Sequence, residues 1–281
     1  MLIGFLILAA AIAATAGGML IMRRRSPQGR GWFRNKEVGS GAFGAIGNPF
    51  AVLLAFVVFL AFQSYTSAGT AAEEEAAATA TMMRTSELIE GAAAEKIHAD
   101  LRCYAQAVIN DEWPLMQSGG EVHSDAVDHW LIEFERAAGQ LEVEGALEQE
   151  AFSELFAESN TRETARAERL SEADGVVPLP VWLVLLAGGL TILVYTTFFG
   201  DPRERLVTQM MMAGAVAVII VSGLLLVAFF NHPYTESAGG LEPTAMERAL
   251  SQDRVEAQLG ELPCDENGRP TDGTVAAGAA S

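Results

Sequence analysis

Residues 22–47 read MRRRSPQGRGWFRNKEVGSGAFGAIG, and this stretch decides the fold. It carries Arg23, Arg24, Arg25, Arg30, Arg34 and Lys36 against a single acid, Glu37, and it lies between two apolar runs. Every other long hydrophilic segment is acidic. Charge shared this unevenly, in a chain with long apolar runs, describes a protein threaded through a bilayer. Short loops rich in Lys and Arg stay in the cytoplasm, so the pattern also orients the chain.

Outward from this loop lie the apolar runs 2–22, 49–68, 176–199 and 206–230. Each has about the 20 residues that a helix needs to cross a hydrocarbon core. The far end of the second, with Gln63, Ser64, Tyr65, Thr66 and Ser67, is polar enough to sit at the interface and continue outward as helix. Loop 23–48 holds six basic and one acidic residue, segment 69–175 seven basic and 24 acidic, turn 200–205 two of each, and tail 231–281 three basic and nine acidic. These account for all 18 Lys+Arg and 36 Asp+Glu, so no charged residue falls inside any of the four runs.

The orientation follows from the basic loop. With 23–48 in the cytoplasm, the N-terminus is outside, the second span runs outward, and the acidic segment 69–175 is external. The third span returns, Arg203 and Arg205 turn inside, and the fourth span leaves the tail 231–281 outside. Run 2–22 has no basic residue before it and Arg23–Arg25 after it, which reads as an uncleaved anchor rather than a signal peptide. The expected fold is all-α: a bacterial cytoplasmic-membrane protein with four transmembrane helices and a helical bundle inserted between the second and third. Its first partner is the lipid bilayer. Cys103 and Cys264 both face the oxidising side on this topology, where a bridge between them would persist and pin the tail; two unpaired thiols are the other reading.

The glycine-rich 26–48 reads as irregular, with Trp32 and Phe33 as an interfacial anchor and Asn48–Pro49 opening the second span. From Thr70 to about Asn110 the composition favours one helix, with Met82, Thr85, Ile89, Ala92 and Lys96 on one face. Ser124 is placed to cap a helix bearing Val127, Leu131 and Phe134 on its apolar stripe. A further helix over 144–172 is expected to turn Leu147, Phe152, Leu155 and Phe156 inward. In the tail, 246–259 suits a short helix and 268–281 is low-complexity, with the composition of disorder.

Several pieces carry a resemblance. They are Phe62–Gln63–Ser64–Tyr65–Thr66–Ser67–Ala68 followed by Glu75; Arg102 and Tyr104 leading to Glu112–Trp113–Pro114; Leu179–Pro180; and Asn231–His232–Pro233–Tyr234 followed by Pro243. Their order and spacing, over roughly 46–250, resemble a bacterial four-span family of unknown function labelled bestrophin-like. The resemblance implies distant similarity to pentameric anion channels, and hence a homo-oligomer or association with another membrane protein.

Candidate sites are few. Glu73–Glu74–Glu75 sits where the second span leaves the bilayer and could ring a pore mouth in an oligomer; alone it is an ordinary hydrated helix face. Thr191, Tyr195, Thr196, Thr208, Gln209 and Ser222 are the polar groups available to line a conduit. Gly188–Gly189, and Gly214 with Ala213 and Ala217, suit close helix packing. His123, Asp125, Asp128 and His129 have metal-ligand types at helical spacing, but acids in a first turn need only the helix dipole to explain them, and no metal or cofactor is expected. Glu112–Trp113–Pro114 reads as a corner that breaks a helix.

The exclusions are informative. The chain has no nucleotide-binding loop, no His-Glu-x-x-His and no Gly-x-Ser-x-Gly, so an enzyme is not expected. Segment 69–175 is too acidic for nucleic acid. The absence of charge within the spans speaks against a proton relay through them. The reading is an oligomeric channel or transport-related protein, with a non-conducting scaffold or envelope sensor as the alternative.

Overall fold

The computed structural model describes residues 2–25, 36–119, 122–198, 205–253 and 262–271. Among the described residues the regular secondary structure is helical, apart from one isolated antiparallel bridge between Cys264 and Pro270. The helices are α1 (Leu2–Arg25), α2 (Lys36–Ser86), α3 (Ala92–Ala107), α4 (Trp113–Ser118), α5 (Asp125–Ala138), α6 (Ala146–Ser171), α7 (Leu179–Phe198), α8 (Leu206–Phe230) and α9 (Thr244–Gln252). A π-helical turn, Val108–Glu112, joins α3 to α4. Among the described residues, four helices are long and apolar enough to cross a membrane: α1, α2, α7 and α8. The chain divides into two compact units, Met1–Ser64 with Gly175–Asn231, and Tyr65–Asp174 with His232–Ser281.

In the first unit α1 packs against α7 and α8. Phe50, Leu54 and Val57 of α2 meet Leu185 and Ile192 of α7 and Ile220 and Val227 of α8. Glycines make room for these side chains. A Cβ on Gly188 would come within 2.7 Å of the Phe50 ring, and one on Gly223 within 2.7 Å of Leu54. Ala213 and Ala217 are buried, as expected for small residues on a helix-packing face. Ahead of α7, the amide of Val177 donates to Asn231 Oδ1 at 2.8 Å, tying the segment before α7 to the C-terminus of α8.

The second unit is a helical bundle in which α3 packs on α5. Trp130, Tyr104, Val127 and Val108 centre one cluster; Met82, Ile97, Leu101, Phe134 and Leu155 centre another. Ser124 caps α5 as its sequence suggests, accepting from the Val127 amide at 3.2 Å. At the start of α6, Glu148 accepts from the amides of Glu144 and Gly145 and from that of Glu90. These three backbone donors, led by Glu144, hold its carboxyl below the usual range.

Several local expectations are corrected. The glycine-rich segment is helical from Lys36 onward, so α2 begins 13 residues before Pro49 and contains it; 26–35 lie outside the described residues. A proline inside a helix removes one hydrogen bond, yet in an apolar run a helix still satisfies the other backbone groups better than irregular chain does. The expected helix from Thr70 to Asn110 is instead two. It breaks at 87–91, where Gly91 takes a φ of 115°, and Ala92, expected on the buried face, is exposed. On α6 Leu155 is buried and Phe152 partly so, but Leu147 and Phe156 are 65% and 40% exposed. Glu112–Trp113–Pro114 is no corner: the wider π turn absorbs the proline, which falls in the first turn of α4. The tail is ordered at Gly268–Thr271, where the Trp130 indole donates to the Gly268 carbonyl at 2.6 Å. The remaining residues of 254–261 and 272–281 lie outside the description.

Candidate functional site

The second unit holds a buried ionic network built on α6. Arg162, Arg166 and Arg169 stand four and three residues apart and so share one face of that helix. Arg169 is fully buried. Its Nε donates to Glu75 Oε2 at 2.5 Å, and its Nη2 donates to Glu75 Oε1 at 3.0 Å and to Glu112 Oε2 at 2.5 Å. Arg166 donates to Glu112 Oε1 from Nε at 3.0 Å and from Nη2 at 2.5 Å, and reaches Asp128 Oδ1 at 3.1 Å. The Tyr104 hydroxyl donates to Glu75 Oε1 at 2.5 Å.

Aromatic side chains close the network. The Arg169 guanidinium lies over the Trp113 ring, 5.5 Å from its centre, and Trp113 meets Tyr234 edge-on at 5.2 Å. The Tyr234 hydroxyl donates to the Arg169 carbonyl at 3.1 Å. Arg162 lies over the Tyr104 ring at 5.0 Å, so an aromatic face rather than a carboxylate neighbours this cation.

Electrostatics fix the protonation states. Burial alone would raise the Glu112 carboxyl, but Arg169 and Arg166 outweigh it and hold the group below its usual value. Burial opposes the charge on Arg169 as well, and Glu75 with Glu112 more than restores it. Burial and the Glu75 carboxylate push Tyr104 well above the ordinary phenol range, and burial does the same to Tyr234. Glu112, Arg166, Arg169 and the two tyrosines therefore do not titrate near neutrality. The arrangement clamps α2, the π turn, α4 and α6 together.

Four of the motif positions, Glu75, Tyr104, Glu112 and Trp113, converge here, and the arginines that gather them were missed. The Arg162-x-x-x-Arg166-x-x-Arg169 spacing was the available signal. The other motif positions act elsewhere. Tyr65 donates to the Gly239 carbonyl at 2.7 Å, and Ala68 is buried in the cluster of Trp113 and Tyr234. Arg102 pairs with Asp253 at 2.5 Å. Pro114 lies in the first turn of α4, Pro180 at the start of α7 and Pro243 at the N-cap of α9. Asn231 caps α8, and the Pro233 carbonyl accepts from Leu241.

The expected acidic triplet divides: Glu73 and Glu74 are exposed, whereas Glu75 is buried against Arg169. Of the polar groups in the spans, Thr196 and Gln209 line a cavity of about 290 Å³ with Met19, Ser40, Phe43 and Met212. Tyr195 stacks on Phe43 and donates to the Gly39 carbonyl. Thr191 and Thr208 are exposed, and Ser222 is half-buried away from that cavity. Cys103 and Cys264 are joined by a disulfide with a Cα–Cα distance of 5.8 Å. His123 lies 3.1 Å from Asp125 and 3.5 Å from Asp128, while Asp128 is also engaged by Arg166 and His129 turns its ring edge-on to Trp130. Among the described residues, the group with metal-ligand atoms close together is Glu87, His98 and Asp253, all within 4.8 Å of one another.

Helices long and apolar enough to cross a membrane, together with a polar helical bundle, define a multi-helical membrane protein. The particular family follows: the bestrophin-like domain family matches residues 9–239, and the chain belongs to it. Its fold is similar to crystal structures of two variants of a bacterial bestrophin homologue from Klebsiella pneumoniae. They share 15% and 14% identity, cover 89% of this chain and 99% and 98% of the homologue, and have TM-scores of 0.65 and 0.66. A crystal structure of a membrane protein matches equally, at 14% identity and a TM-score of 0.66 over 90% of this chain and 99% of that one. No curated protein matches the chain.

Proposed function

We propose that this chain assembles as a homo-oligomer in the bacterial cytoplasmic membrane and conducts small ions, with the second unit and the tail on the external side. The single observation that carries the reading is the outward face of α2 in the second unit. Thr66, Thr70, Glu73, Glu74 and Ala77 recur there at three- to four-residue spacing and are all exposed. A helix that turns such a row away from its own bundle presents small, polar and acidic groups to an axis shared by copies. Rings of carboxylates at the mouth of such a path concentrate cations. The acidic second unit favours cations over anions, although charges beyond about 8 Å are screened at physiological salt.

The basic loops support the orientation, since 23–48 and Arg205 fall on one side. The Cys103–Cys264 disulfide supports it as well, because such bonds persist outside the cytosol. The alternative, a non-conducting scaffold or sensor, draws on Ile132, Leu147 and Phe156, large apolar side chains exposed on the second unit. Ion flux into liposomes holding the purified protein, with its oligomeric mass measured in detergent, tests the proposal. Flux is expected, with cation selectivity reduced by Glu73→Gln and Glu74→Gln together. A monomer with no flux above that of empty liposomes refutes it.

A further inference from the structure

The clearest unassigned chemistry in the second unit lies where three segments distant in sequence bring Glu87, His98 and Asp253 together. Glu87 stands in the turn after α2, His98 on α3, and Asp253 at the C-cap of α9. His98 and Asp253 are almost wholly buried, with side chains 3% and 2% exposed.

The histidine is oriented from behind. Its Nδ1 lies 3.1 Å from the Met83 carbonyl and 3.3 Å from Ser86 Oγ. The Ser86 hydroxyl itself donates to that carbonyl at 2.7 Å, so both groups accept from Nδ1. The proton therefore sits on Nδ1, and in the neutral ring Nε2 carries a lone pair. Nε2 lies 3.0 Å from Asp253 Oδ2. A lone pair facing a carboxylate oxygen at that distance is repulsive unless a cation stands between them or a second proton makes the ring an imidazolium.

We infer that Glu87, His98 and Asp253 form a binding site for a divalent transition-metal ion such as Zn²⁺ or Mn²⁺. One imidazole and two carboxylates suit these ions. An Nδ1–H held by a backbone carbonyl is the usual means of aiming Nε2 at a metal. Ligand atoms within 4.8 Å of one another close onto an ion with a small movement of Glu87, which is exposed and lies on a turn. Glu87 and Asp253 also line a cavity of about 910 Å³ that admits water to the remaining coordination positions. Arg102 holds Asp253 Oδ2 at 2.5 Å, fixes that carboxylate and reduces the negative charge of the site. The ion would tie α9 to α2 and α3, independently of whether the protein conducts.

Binding to the full-length protein in detergent, stripped with chelator and titrated with ZnCl₂ or MnCl₂, tests this by calorimetry and by the thermal midpoint. One ion per chain and a raised midpoint are expected, since an ion that binds the folded chain stabilises it. Glu87→Gln, an exposed change that leaves the fold intact, is expected to weaken binding at least about tenfold, the low end for losing a group that supports a metal site. His98→Gln is expected to abolish it, and His123→Gln to leave it unchanged. Absence of saturable binding overturns the inference. So does binding that survives Glu87→Gln and His98→Gln undiminished, or that disappears with His123→Gln.

Discussion

Replacing Arg169 by Leu removes the cation at the centre of the network. Four donated contacts are lost: two to Glu75, one to Glu112 and one to Met116 Sδ. Glu112 keeps Arg166, so its charge stays paired. Glu75 is only 1% exposed and keeps, among the described side chains, the Tyr104 hydroxyl alone. The cost is therefore dominated by one buried carboxylate without a counter-ion. Breaking a buried pair from one side costs about 3–5 kcal/mol, and about 4 kcal/mol is expected here. For a unit of this size each kcal/mol moves the midpoint by about 2–4 °C, giving a fall of about 8–16 °C. Arg169→Lys keeps the charge but cannot fork between two carboxylates, so a loss of about 2 kcal/mol is expected. Adding Glu75→Gln to Arg169→Leu removes the stranded charge and should restore about 2 kcal/mol, a coupling that a double-mutant cycle measures. Trp113 and Tyr234 sit on the network, so near-ultraviolet circular dichroism during denaturation in detergent reports its loss. The reasoning is refuted if Arg169→Leu costs less than about 1 kcal/mol, or if Glu75→Gln destabilises the Arg169→Leu protein further.

Acidification should expose the same network. Glu112 is held below its usual 4.5 in the folded state, so its stabilisation is complete above that pH and is lost as pH falls through the folded value. Melting curves should show this as a fall in midpoint below pH 4.5 that is absent in Glu112→Gln. Asp100 has the opposite sign: burial raises it above 3.8 despite Lys96, so its contribution is present below that value and lost as pH rises through the folded one, and Asp100→Asn should flatten this second dependence. Reduction of the Cys103–Cys264 bridge, or Cys103→Ser with Cys264→Ser, should cost about 2–4 kcal/mol, measured as a midpoint difference with and without reductant. Gly175→Ala should destabilise the first unit by about 1–3 kcal/mol, because Gly175 has a φ of 79° and a Cβ would lie 2.5 Å from Asn231 Nδ2; an unchanged unfolding curve would contradict that.

The sequence alone determined the helical class, the four apolar helices and the family, because these depend on patterns local to the chain. Span length is counted in consecutive residues, and the Ser124 cap needs only a hydroxyl three positions before an amide. The motif residues Glu75, Tyr104, Glu112 and Trp113 were also visible in sequence, but as separate pieces without a common purpose. Only the tertiary structure decided that they surround Arg169, that Glu75 parts company with Glu73 and Glu74, and that Cys264 reaches Cys103 across 161 residues. Burial decides whether a carboxylate is a hydrated surface charge or half of an ion pair, and burial is set by which helices pack together. The same holds for Glu87, His98 and Asp253, whose numbers give no hint of proximity. Periodicity tells which face of a helix is apolar; it does not tell which partner the polar face will meet.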